Sequence, residues 1–167
     1  MNRLDHDEVR LQIDAAAELL YDLVSDVTRT PEWSPEVIEC SWLDDATHAT
    51  EGAHFTARNR KRWFTWSNTP VVDTAERGRE FAVTRTEHGG GTIRWSYRFE
   101  PATPGTTVVQ SYQVLRPVPL LLHVIVRLFG VRDLRADLHQ NMHTSIRRLA
   151  DVAAREARQP STRPTDR

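Results

Sequence analysis

Eight consecutive residues, Ile93 to Glu100, alternate without interruption, with Ile93, Trp95, Tyr97 and Phe99 on one side and Arg94, Ser96, Arg98 and Glu100 on the other. Successive side chains of a strand point to opposite faces, so this segment has a wide aromatic face to hide and a charged face to wet. One strand cannot cover its own apolar face. The chain must build a sheet beside it and lay a second layer over it.

The neighbouring segments supply the sheet. Thr107 to Leu115 repeats the alternation, with Val108, Gln110, Tyr112 and Val114 sharing a face, and Pro101 to Gly105 reads as the hairpin loop between the two strands. Upstream, Val9 to Ile13 reads as a first strand. Ile38, Cys40 and Trp42 alternate with polar partners. Gly52 to Asn59 alternates with Ala53, Phe55, Ala57 and Asn59 together. One strand is expected from about Trp63 to Thr74 and another from Glu80 to Thr86, followed by a turn at Gly89-Gly90-Gly91. The count is about six to seven strands, joined by short loops as an antiparallel meander.

Helical spacing appears in two places. After the first strand, Asp14 is the expected N-cap of a helix carrying Leu19, Leu20, Leu23, Val24 and Val27, with Glu18 near its start. Thr30-Pro31 predicts the beginning of a second short helix through Trp33, ended by Pro35. Beyond Pro117, Pro119 and a break at Gly130, the residues Leu134, Leu138, Met142, Ser145, Leu149 and Val152 form one stripe of a helix of roughly 25 residues. It is the one predicted element long enough to cover the sheet.

Composition narrows the remaining choices. The 167 residues suit a single domain, expected over 1–157 with a disordered polar tail over 158–167. A net charge of −1 gives no global field toward nucleic acid, which is not an expected partner. Arg58-Asn59-Arg60-Lys61-Arg62 is the densest basic cluster. Cys40 is the single cysteine, so neither an internal disulfide nor a cysteine metal cage is available, and a reducing, cytoplasmic setting is the expectation. Met1 to Arg10 lacks a signal-type apolar core. The most apolar run, Val118 to Val131, is 14 residues long and holds His123 and Arg127, too short and too polar to span a bilayer.

Particular residues in this order resemble the Bet v 1-like (START-like, SRPBCC) superfamily, and within it the bacterial polyketide cyclase/dehydrase and lipid-transport branch. They are Ile13-Asp14-Ala15, Ala17 to Asp26, Pro31-Glu32-Trp33-Ser34-Pro35, Gly52-Ala53-His54-Phe55 with Asn59-Arg60, Trp66, Gly78-Arg79-Glu80-Phe81, Trp95-Ser96-Tyr97 and Gly105-Thr106. The resemblance runs from about Val9 to Ala154. It implies an α+β helix-grip fold, in which a curved antiparallel sheet wraps the long C-terminal helix and two short helices follow strand 1. It also implies an elongated cavity for a sterol, lipid, polyketide or other apolar molecule, and no obligatory cofactor.

The candidate ligand-binding residues follow from the inner faces. Phe55, Trp66, Phe81, Trp95, Tyr97 and Tyr112 offer broad rings, some with a polar handle; each is equally able to fill core. Asn59 and Gln110 put amides on apolar faces, where a buried amide needs a partner from the ligand or from the backbone. Leu138 and Met142 on the final helix complete the set. Trp33 either touches ligand or plugs the opening of the grip.

Catalytic signals are weak. His139 and His143 stand i, i+4, but no third ligand is near in sequence and the buried stripe runs past them, so no metal is expected. His54 and His88 read as solvated, and His123 as the exposed side of an amphipathic segment. No carboxylate pair, phosphate loop or nucleophile elbow is present. No catalytic residue is assigned. The first reading is binding, and transport, of a small hydrophobic molecule. The second is a cyclase or aromatase in which Tyr97, Tyr112 or Arg85 polarises a carbonyl. The third is a non-catalytic interaction module with a filled core. The segment 117–131 is left open between a cavity lid, a peripheral membrane contact, a dimer contact and an ordinary helix start, and the oligomeric state between monomer and homodimer.

Overall fold

The structure is a computed structural model that describes residues 4–86, 90–117 and 133–158. The elements are β1 (His6–Ile13), α1 (Ala17–Ser25), a 3-10 helix (Val27–Glu32), β2 (Val37–Trp42), β3 (Phe55–Lys61), β4 (Phe64–Asn68), β5 (Val71–Glu76), β6 (Glu80–Thr86), β7 (Thr92–Pro101), β8 (Thr106–Arg116) and α2 (Leu134–Arg158). The eight strands form two antiparallel sets, β1-β8-β7-β6-β5 and β2-β3-β4. A short seam joins them. His54 bridges Val71, and backbone bonds run from Val72 to Ala53 and from Phe55 to Pro70. The result is the helix-grip α+β fold.

The expected strand from Trp63 to Thr74 is two strands belonging to different sets. Pro70 has no N–H to donate and turns Thr69 out of the ladder, so β4 stays with β3 while β5 crosses to β6. Two helix starts also differ from expectation. Asp14 does not cap α1. The cap position is Ala16, without a side-chain bond, because Ala15 is held by its own turn to Ile13 and by Thr106 Oγ1, which donates to the Ala15 carbonyl at 2.8 Å. The 3-10 helix starts at Val27, with Asp26 accepting from the Thr28 N–H at 3.2 Å, and Pro31 lies inside it.

α2 covers the concave face. Met142, Ser145, Ile146, Leu149, Val152 and Ala153 are its buried residues. On the same face of the sheet α1 buries Leu20, Tyr21, Leu23 and Val24, and the Tyr21 ring meets Phe81 and Phe99 edge-on at centroid distances of 6.4 and 6.3 Å. Salt bridges lock α2 at both ends: Asp137 pairs with Lys61 of β3, and Glu156 with Arg29 of the 3-10 helix. The 118–131 run, His88, His123 and the tail beyond 158 lie outside the described residues.

Candidate ligand cavity

Between the concave sheet and α2 lies a cavity of about 170 Å³. The strand alternation that hides Ile93 and Phe99 in the core turns Trp95 and Tyr97 toward this space, joined by Gln110 from β8. β6 contributes Phe81, Val83 and Arg85; β3 contributes Phe55, Ala57 and Asn59. α2 closes it with Leu138, Asn141, Met142 and Ser145, and the 3-10 helix with Val27, Thr30 and, just past its end, Trp33.

Eight of the ten sequence candidates therefore stand around one cavity: Phe55, Asn59, Phe81, Trp95, Tyr97, Gln110, Leu138 and Met142. Trp66 and Tyr112 do not. Trp66 lies directly opposite Asn59, on β4 and on the same face, but its ring stacks on Phe64 at 5.6 Å instead of lining the cavity. Tyr112 is buried beside Trp95, ring centroids 5.3 Å apart, one step along β8 beyond the cavity wall.

The wall is mostly apolar, with polar groups set into it. Asn59 is 1% exposed and spends its amide on the Ala57 carbonyl at 3.2 Å. Others have no such outlet. Asn68 Nδ2 and Oδ1, Trp95 Nε1 and Gln110 Oε1 are buried without a hydrogen-bond partner among the described residues. An unmet buried polar group costs about 1–3 kcal/mol, so a small rotation that turns these atoms toward a ligand's donors and acceptors would be favoured. Asn68 was missed at the sequence level because it lay inside what read as one continuous strand; the Asn68-Thr69-Pro70 break was the signal that marks it.

Electrostatics add two features. Burial pushes the Tyr97 hydroxyl above its ordinary range, only partly offset by hydrogen bonding with Ser145, Trp33 and Gln110. The phenol is therefore neutral at physiological pH and able to donate. The Arg85 guanidinium stands over the Trp95 ring, 5.5 Å from its centroid. Cys40 also lines the wall, and burial raises its thiol to about 11, so it is a small apolar side chain here and not a nucleophile. His139 Nδ1 lies 2.8 Å from Asp7 Oδ2 and 4.7 Å (ring to ring) from His143, at the α2–β1 contact and off the cavity wall. Among the described residues no group of three His, Cys, Asp or Glu is arranged for a metal, and no helix is long and apolar enough to cross a membrane.

The family model described as polyketide cyclase/dehydrase and lipid transport matches residues 7–154. No curated protein sequence matches the chain. Among solved structures, the chain is similar to the Polyketide_cyc-like protein Cgl2372 from Corynebacterium glutamicum, at 28% identity and TM-score 0.56 over 95% of this chain and 96% of that one. It is similar in fold to the di-domain ARO/CYC StfQ from the steffimycin biosynthetic pathway, at TM-score 0.73 and 15% identity, covering 91% of this chain and 51% of StfQ. It is also similar in fold to major latex-like protein 151 from Panax ginseng, at TM-score 0.66 and 10% identity over 89% and 96% of the two chains.

Proposed function

The chain belongs to the polyketide cyclase/dehydrase and lipid transport family, and we propose that within it the protein binds and carries a small, mostly apolar molecule that has at least one hydrogen-bonding group. The observation that carries this reading is the set of unpartnered polar atoms on Asn68, Trp95 and Gln110 in a mostly apolar wall. A ligand with a hydroxyl or carbonyl end satisfies them while its apolar body displaces little-bonded water, at roughly 25 cal/mol per Å² buried. The site is proposed as Phe55, Asn59, Phe81, Trp95, Tyr97, Gln110, Leu138 and Met142, with Asn68 and Arg85 added. At about 170 Å³ the space suits one ring with substituents, since an apolar cavity of about 150 Å³ accepts benzene. A lipid, sterol or fused polyketide requires the walls to part.

One observation favours a second reading, cyclisation of a poly-ketone. Arg85 and Tyr97 stand on the same wall, a cation and a neutral donor able to hold one carbonyl oxygen and so fix the chain in a reactive conformer.

Native mass spectrometry of the purified protein, followed by thermal-shift screening against lipids, sterols and aromatic polyketides, tests the binding reading. A co-purifying apolar molecule or a saturable rise of several degrees supports it. No adduct and no shift across the panel rejects an open cavity and leaves a non-catalytic interaction module. Turnover of a bound poly-ketone that is lost in Arg85→Gln while binding persists selects the cyclase.

A further inference from the structure

The densest run of cations in the sequence lies outside the cavity. β3 and β4 close through a two-residue turn, Arg62-Trp63, between the paired residues Lys61 and Phe64. Turns of this length favour Asn-Gly or Asp-Gly, because positive φ is needed. Arg62 takes φ +56° without being glycine, a conformation with a penalty for any side chain bearing a Cβ. The strain holds a cation and an indole at the most projecting point of the hairpin. Trp63 is 77% exposed and Phe64 38%.

Along the hairpin's own sequence the charges are of one sign. Arg58 to Trp66 holds four cations and no carboxylate, in a chain whose net charge is −1. Lys61 is committed to Glu36 and Asp137, and Arg58 sits 3.5 Å from Glu39. Arg60 and Arg62 are exposed and form no ion pair among the described residues.

We propose that the β3–β4 tip docks the protein on an anionic phospholipid bilayer, with the rings of Trp63 and Phe64 at headgroup depth and Arg60 and Arg62 against lipid phosphates. Trp is the residue that prefers the membrane–water boundary, and an apolar wedge flanked by cations combines the two attractions that hold peripheral proteins there. Single-stranded nucleic acid, the other polyanion that welcomes aromatic and basic residues, binds in grooves that track its backbone; this tip is a convex turn. The stacked pair Phe64–Trp66 continues the row toward Asn59 on the same strand face. One edge of the hairpin thus runs from cavity wall to docking tip. The inference does not depend on what the cavity holds.

The test is co-sedimentation of the full chain with phosphatidylcholine vesicles, with and without a one-third share of phosphatidylglycerol. The expected result is partition onto the anionic vesicles that weakens as salt rises. Arg60→Glu with Arg62→Glu should lower it by about fivefold or more per cation. Trp63→Ala should lower it again and remove the vesicle-induced blue shift of tryptophan emission. These positions are exposed, and unchanged circular dichroism and thermal unfolding will show that each variant is folded. Absence of preference for the anionic vesicles, or partition indifferent to the charge reversal, overturns the proposal. So does tighter capture by single-stranded oligothymidine, or self-association that Trp63→Ala abolishes, in the absence of vesicle binding.

Discussion

Lys61, the last residue of β3, donates to Glu36 at 3.0 Å, and the same Glu36 oxygen accepts from Asn141 of α2 at 2.9 Å. Lys61 also pairs with Asp137. One ammonium thus ties the hairpin, the link before β2 and the start of the long helix together at the rim of the cavity, where Glu36 and Asn141 form part of the wall. The pair is half-buried, between the exposed bridges that add almost nothing and the buried ones whose breakage is severe. Lys61→Met is expected to lower unfolding stability by about 1–2 kcal/mol in urea titrations and to speed ligand entry in stopped-flow mixing. A variant with unchanged entry rate would show that the rim does not limit access.

Ala57 lines the cavity and is buried. Ala57→Leu places extra carbons in empty space. Stability should fall by no more than about 3 kcal/mol, and the thermal shift produced by any cavity ligand should vanish. Retention of the shift would place that ligand elsewhere.

Gly105 ends the β7–β8 loop at φ +74°, and a Cβ there would strike the Ile13 carbonyl oxygen and the backbone of Asp14 and Ala15. Gly105→Ala should lower stability by more than the about 1–3 kcal/mol that positive φ alone costs a non-glycine residue. Calorimetry should give a markedly lower Tm, and a parent-like Tm would mean the β1–α1 corner yields easily.

Alkaline pH should unfold the protein early. Burial raises the Cys40 thiol from 9.0 to about 11 and the Tyr112 phenol from 10.0 to about 12. The folded state therefore keeps protons that the unfolded chain surrenders between pH 9 and 10, and stability falls as pH climbs through 9 toward 12. Denaturant midpoints measured from pH 8 to 11 should show that decline, and Cys40→Ala should flatten its first part. Over the same range a thiol reagent should react slowly with the folded protein and fast after denaturation.

The strands and the long helix were legible because their periods are strong. Ile93 to Glu100 alternates over its whole length, and the stripe of α2 runs on one side from Leu134 to Val152. What could not be read was where a wall ends. Trp66 and Asn68 share a face of β4 and have the right parity, yet only Asn68 reaches the cavity, while Asn59, the ladder partner of Trp66, lines it; neither alternation nor register decides which side chain reaches the wall. Tyr112 and Gln110 differ in the same way on β8. Asp14 looked like a cap because acceptors favour that position, and tertiary bonds at the β1–α1 corner overrode the local preference. The division into two sheets hung on Pro70, whose effect depends on which neighbour each half finds.

The short seam between β3 and β5 has a mechanical consequence. The five-stranded set is laced along long ladders, whereas the three-stranded set is attached to it through a few backbone bonds around Ala53, Phe55, Pro70 and Val72. If that smaller set swings on the seam, its amides should exchange with deuterium sooner than those of β7 and β8. Because Phe55, Ala57, Asn59 and Asn68 ride on that set, swinging it changes the size of the hold while the long ladders stay intact. The proposed ligand capacity would then depend on how far a few hydrogen bonds allow β2, β3 and β4 to tilt.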